Sequence, residues 1–328
     1  MRSDSVGIAK QTAKGTKNTT MQYFMPVESS DPTYNRETMS IEETIGNRFP
    51  TGMDYGTGYW EAGLQGAIRP TAFPRLGSAF WGLPTTTTPT GGTLSRLHTF
   101  DPAAAGKIPE VHSMLFTRAD PSPSIRDLLF DCYGNSLTLS VEPNGYGMFE
   151  ANMVAKSNDD TLAAPTVTSD ASPRFKFHEA TAQISVDGAA LTTIPLGSFS
   201  LSYNNNFDTD QVVLGSQSLY DLFEENADAE VRFTVRETLS THYRRALQAN
   251  PASVKIVLTA TSASMIEGAL PYKLIVTVFS CEYLEAPAPI SASDRLLSID
   301  VTARARYDTA ASKFIQVEIQ NGIASYAT

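Results

Sequence analysis

Between Glu230 and Glu237 the chain alternates strictly, with Val231, Phe233 and Val235 set against Arg232, Thr234 and Arg236. A two-residue period puts one set of side chains on each face of an extended strand, so this segment buries one face and wets the other. The same period runs from Tyr59 to Arg69, where Trp60, Ala62, Leu64, Gly66 and Ile68 oppose Tyr59, Glu61, Gln65 and Arg69. Half-buried strands of this kind require a sheet with one covered face, which restricts the chain to a mainly β architecture.

The 328 residues suit two units of ordinary domain size better than one. Residues 1–23 are polar and read as an N-terminal arm. After the Tyr59–Arg69 strand, Pro70 breaks the pattern. Thr71 offers an N-cap, and Phe73, Leu76 and Phe80 recur at helical spacing before Gly82, which predicts one short helix. Pro84–Ile108 reads as a loop. Strands are expected at Glu110–Ala119, Asp127–Tyr133, Ser136–Glu142 and Tyr146–Ala155, followed by a polar linker over Asn158–Ser172. In the second half, strands at Arg174–Val186, Ser198–Tyr203 and Glu230–Glu237 precede a helix capped by Ser240-Thr241 and ended by Asn250-Pro251. Further strands follow at Val254–Ala260, Tyr272–Tyr283, Leu296–Tyr307 and Lys313–Gln320.

The two halves therefore run in the same order: an alternating strand entering a helix, a strand ending in a hydrophobic-Phe-x-Cys tetrad, then more strands. The tetrads are Leu129-Phe130-Asp131-Cys132 and Val278-Phe279-Ser280-Cys281. We expect two tandem β-sandwich or half-barrel domains, residues 24–157 and 173–328, each with one short flanking helix and joined by the 158–172 linker. A fused pair presents two quasi-equivalent copies of one surface, which halves the number of chains needed to close an even-numbered ring.

No constellation for catalysis emerges, and no cofactor site is expected. The four histidines lack metal-ligand spacing, and Cys132 and Cys281 stand alone in apolar strands. No phosphate-binding glycine loop or nucleophile elbow is present. The net charge of −10 argues against a protein that grips nucleic acid. No apolar run is long enough to span a membrane, and no signal peptide precedes the polar start, so synthesis and retention in a cytoplasm are expected.

Several segments resemble the tail tube proteins of long-tailed, non-contractile phages: Val6–Gln11, Glu61–Pro70, and Phe130–Pro143. The resemblance covers most of the first half and is looser in the second. It implies a virion structural protein, assembled in the host cytoplasm, that polymerises into stacked rings forming the conduit for DNA ejection. It also implies a tape-measure protein, a tail terminator and tail-tip proteins as partners, with double-stranded DNA passing through without tight binding. Within that frame the repeat favours three chains per ring with pseudo-sixfold symmetry over six. Glu61, Gln65, Glu230 and Thr234 are expected to line the lumen. Loops carrying Asn47, Arg48, Asp54, Tyr55, Asn205 and Asp208 are expected to touch the neighbouring ring. Another virion or adhesin β-sandwich, or a carbohydrate-binding β protein, are the alternatives.

Overall fold

The alternating segments form the strands that their period demands. The computed structural model describes residues 4–41, 52–118, 124–211, 213, 216, 219–237, 253–286 and 297–327. In the first half lie β1 (Ser5–Lys10), β2 (Tyr23–Met25), β3 (Ser29–Ile41), β4 (Gly52–Ala67), helix α1 (Phe73–Trp81), β5 (Thr85–Thr87), β6 (Arg96–Phe100), β7 (His112–Arg118), β8 (Ile125–Val141) and β9 (Gly147–Asp159). In the second lie β10 (Ala180–Val186), β11 (Thr192–Ile194), β12 (Leu196–Asn204), β13 (Phe207–Asp208), β14 (Phe223–Glu224), β15 (Asp228–Glu237), β16 (Val254–Glu267), β17 (Leu270–Glu285), β18 (Leu297–Arg306) and β19 (Ile315–Asn321). The fold is mainly β, and α1 is the only α-helix among the described residues. The second expected helix, Ser240–Asn250, falls outside them.

The faint sequence repeat is strong at the level of strand pairing. In the first half the lateral order is β2-β1-β7-β8-β9-β4-β3. In the second it is β11-β10-β16-β17-β18-β15-β12, with each strand taking the same place along the chain as its counterpart. The irregularities match too. β8 slips against β7 between the His112–Cys132 and Met114–Leu129 pairs, and β17 slips against β16 between Val254–Cys281 and Ile256–Val278. A second slip follows on the other edge, after Gly134–Met153 in one half and after Tyr283–Ala303 in the other. Bulges bend a strand and raise its twist, so the two tetrads mark one bend made twice. Cys132 and Cys281, both fully buried, sit at that bend.

The halves share a core. β12 pairs with the C-terminal end of β8, and β19 pairs with β6. One hydrophobic cluster runs from Val6 to Ile319 through both halves. At the start of the 158–172 stretch, Asn158 and Asp159 still belong to β9. Helix α1 lies between the halves with every residue buried, and Trp81 packs on Phe100 at 5.5 Å and on Tyr203 at 6.1 Å between ring centroids. Its N-cap is Ala72 rather than Thr71, and the Asp170 carboxylate accepts the Ala72 N–H at 2.8 Å at the positive end of the helix. Buried Arg75 donates to the Tyr326 carbonyl at 2.9 Å, tying the far C-terminus to this helix.

Three sequence expectations change. Residues 5–10, expected in a loose arm, form β1, a buried strand beside β7. Its apolar run Val6-Gly7-Ile8-Ala9 is too short for periodicity to reveal. The expected loop over 84–108 contains β5 and β6, which extend the sheet beyond β19. Asp54 and Tyr55, expected on a loop, lie in β4, which pairs with β3 along its length.

Candidate assembly surfaces

Eight strands, β3-β4-β9-β8-β12-β15-β18-β17, lie side by side across both halves. Their apolar positions face the core: Ala62 and Leu64, Ala151 and Met153, Leu137 and Leu139, Leu201, Val231 and Phe233, Val301 and Ala303 are all buried. Alternation therefore sends the intervening polar residues to one continuous opposite face. In the first half that face carries Asp31, Thr33, Glu61, Gln65, Glu150, Asn152, Ser136 and Thr138, which line a concavity of about 550 Å³. In the second half Ser202, Asn204, Asp228, Glu230, Arg232 and Arg304 line another of about 520 Å³, with Ser136 and Thr138 shared between the two.

Glu61, Gln65, Glu230 and Thr234 all lie on this polar face. Gln65 lies across from Glu150. The Glu61 carboxylate accepts the Asn35 amide at 2.8 Å. Glu230 pairs with Arg232 along its own strand and lies across from Arg304 on β18. Thr234 donates to Asp300 at 2.6 Å. Arg306 and Glu282 form a further ion pair on this face. Sequence reasoning left Arg304, Asp300 and Glu282 unassigned, although the same alternation in Leu297–Arg306 carries them to this face.

Of the six residues expected at ring contacts, four are described, and they lie apart. Asn47 and Arg48 lie outside the described residues. Asp54 and Tyr55 stand exposed on the β3–β4 hairpin, where the Arg36 guanidinium stacks on the Tyr55 ring at 4.0 Å. Met39 and Met53 are also exposed there. Asn205 is buried and donates its amide to the carbonyls of Phe80 and Gly134 at 3.1 and 2.8 Å, so it joins the halves instead of reaching outward. Asp208 accepts from the Asp210 backbone and the Gln211 side chain, which hold its carboxyl below the usual carboxylate range. Phe207, Leu219 and Leu222 are buried against Tyr133 and Val154.

The chemistry-bearing residues serve packing. His112 is fully buried between Ser78 Oγ at 3.0 Å and the Glu110 carbonyl at 2.8 Å. Burial, helped by the Arg75 charge, pushes its pKa down to about 3. His98 is likewise buried, bonded to Thr86 and Asn321. Burial also raises both cysteine thiols, which leaves them unreactive. No group of three His, Cys, Asp or Glu residues among the described residues is arranged to hold a metal ion. No helix there is long and apolar enough to cross a membrane. Trp81 is buried, and Trp60 lies on the core side of β4, packed against Tyr34 at 5.1 Å. Neither stands beside the acids of the polar face as a sugar-stacking platform.

No curated protein matches the sequence significantly. A family comparison does: residues 2–305 match the phage tail tube proteins, a span that takes in the eight strands of the polar face save the last residue of β18. The mainly β fold agrees with that match, and the chain belongs to the phage tail tube protein family, structural components of the virion tail.

Proposed function

We propose that this chain polymerises into stacked rings that form the tail tube of a long-tailed, non-contractile phage, and that the eight-strand polar face lines the conduit for DNA ejection. The observation that carries this reading is the repeat itself. Two copies of one strand order merge, through the β8–β12 joint, into a single sheet with one buried and one wetted face. Repeating that joint between chains extends the wetted face around a closed wall. With two equivalent units per chain, three chains supply six, so the ring is a trimer with pseudo-sixfold symmetry.

The mechanism is passive. Glu61, Gln65, Glu230 and Thr234 face the lumen, and duplex DNA slides past without tight binding. The β3–β4 hairpin carries Asp54 and Tyr55 with exposed Met39 and Met53 toward the neighbouring ring, where apolar tips find cover. Asn47 and Arg48 lie in the sequence between these two strands. Assembly takes place in the host cytoplasm around a tape-measure protein, and a terminator and tip proteins close the ends. Negative-stain microscopy of the purified protein tests the reading. Hollow filaments whose end-on averages contain three chains are expected. Solid particles or six complete chains per ring would refute it.

A further inference from the structure

We propose that the outer edge of β3 pairs, antiparallel, with the C-terminal end of β17 in a second copy of the chain, with Asn35 opposite Glu285. This rests on the ring reading above and specifies the joint that closes it.

The argument is internal equivalence. Pro32, Ala62, Met153 and Gly134 form one lateral row in the first half. Leu201, Val231, Ala303 and Tyr283 form the matching row in the second. Counting along from these rows, with the bulges in register, Tyr34 corresponds to Tyr203, Asn35 to Asn204, and Arg36 to Asn205. Ser136 corresponds to Glu285, and Leu137 to Ala286. The Tyr-Asn pair recurs in the sequence at both places.

Within the chain, β7 stops opposite Cys132, and β12 takes over the vacated edge of β8, with Asn204 opposite Ser136 and Tyr203 opposite Leu137. In the second half β16 stops opposite Cys281 in the same way. Among the described residues nothing takes the vacated edge at Leu284–Ala286, and β3 pairs with β4 alone. The missing neighbour shows in exposure. Tyr203 is 3% exposed and Tyr34 is 43% exposed; Leu284 is 54% exposed. At the internal joint the Asn205 N–H donates to the Asn135 carbonyl at 2.8 Å. The equivalent bond runs from the Arg36 N–H to the Leu284 carbonyl of the second copy. Both open edges are complementary halves of a joint the chain already makes once. Their contact is head-to-tail, which generates a ring and not a two-fold dimer.

The test is a chain carrying Asn35→Cys and Glu285→Cys, assembled and then oxidised or bridged with a short bis-maleimide. Both native cysteines are fully buried and do not compete. Covalent trimers are expected on a denaturing gel. Mixing chains that carry one substitution each should give dimers only, and either single variant alone should give none. Filaments that assemble without cross-linking would overturn this register while leaving the tube reading intact. Self-linking of the Asn35→Cys variant alone would overturn it in favour of edge-to-edge two-fold pairing. Cross-linked trimers that never stack would support the joint and count against the tube.

Discussion

Gln11 and Asp131 hold each other through two reciprocal hydrogen bonds: the Gln11 amide donates to Asp131 Oδ1 at 3.0 Å, and the Asp131 N–H donates to Gln11 Oε1 at 2.7 Å. Asp131 is a bulge residue with φ of 55°, a left-handed conformation uncommon outside glycine, in which Asp and Asn are enriched. The Gly15 N–H also donates to its Oδ1 at 2.7 Å. The first residues of the chain thus fasten the bend that the tetrad makes.

Replacing Gln11 by Ala removes both reciprocal bonds and leaves a buried backbone N–H without its acceptor. The expected loss is about 1–3 kcal/mol of unfolding free energy. Urea denaturation of the monomer measures it. Hydrogen exchange should speed up first in β1 and at Asp131, because the damage is local to that bend.

Gly134 is required by a close approach. A Cβ there would run into the Phe80 ring of α1. Gly134→Ala should therefore cost about 1–3 kcal/mol through overpacking, with a lower Tm. Adding Phe80→Leu should recover part of that loss despite removing apolar area. A double mutant no more stable than the sum of its parts would show that the contact is not the cause.

His112 makes stability depend on pH. Its folded pKa, about 3, lies below the ordinary value of 6.5, so the unfolded chain binds a proton that the folded chain refuses. Stability is therefore full above pH 6.5 and falls as the pH drops toward 3, with a slope of about 1.4 kcal/mol per pH unit from this one proton. Burial lowers His98 in the same direction. Replacing His112 by Gln should flatten the fall of Tm between pH 6.5 and 4.5. Below that range Glu267 joins in: hydrogen bonds from the Thr93–Ser95 segment hold its pKa near 2, and their contribution is lost on further acidification.

Strand positions and the repeat were legible because a two-residue period survives wherever one face is buried, as at Val231–Val235. β1 was not legible, since both of its faces are covered and four consecutive apolar or small residues carry no period. The joints between halves were hidden for a different reason. The β8–β12 register depends on which edge β7 vacates, and Asn205 looks like any loop asparagine until the Phe80 and Gly134 carbonyls come within reach. The polar face was half legible. Alternation marked Glu61 and Glu230, but their charge environments depend on partners from β3 and β18, which sequence separation conceals.

Those environments differ, and the difference yields the last prediction. On the polar face of the first half, Asp31, Glu61 and Glu150 form no ion pair among the described residues, and Lys156, further along β9 on the same side, donates instead to the Tyr220 carbonyl at 2.7 Å. In the second half Arg232, Arg236, Arg304 and Arg306 offset four of the five acids Asp228, Glu230, Glu282, Glu285 and Asp300, and two of the pairs are in contact. The acidic excess of the face is therefore larger in the first half, and in a ring it would form alternating more and less acidic sectors. Duplex DNA carries about one negative charge per 1.7 Å of axis, so uncompensated carboxylates keep the rod off the wall, whereas cations would hold it there. Glu61→Lys combined with Glu150→Lys should convert the acidic sectors to basic ones. Assembled tubes of this variant should retain short duplex DNA at low salt and release it steeply as salt rises. Wild-type tubes should retain none. Glu318→Lys, on β19 and outside the eight-strand face, changes the net charge without changing this behaviour. Equal DNA retention by the Glu318 variant and the Glu61/Glu150 pair would show that the eight-strand face does not line the conduit.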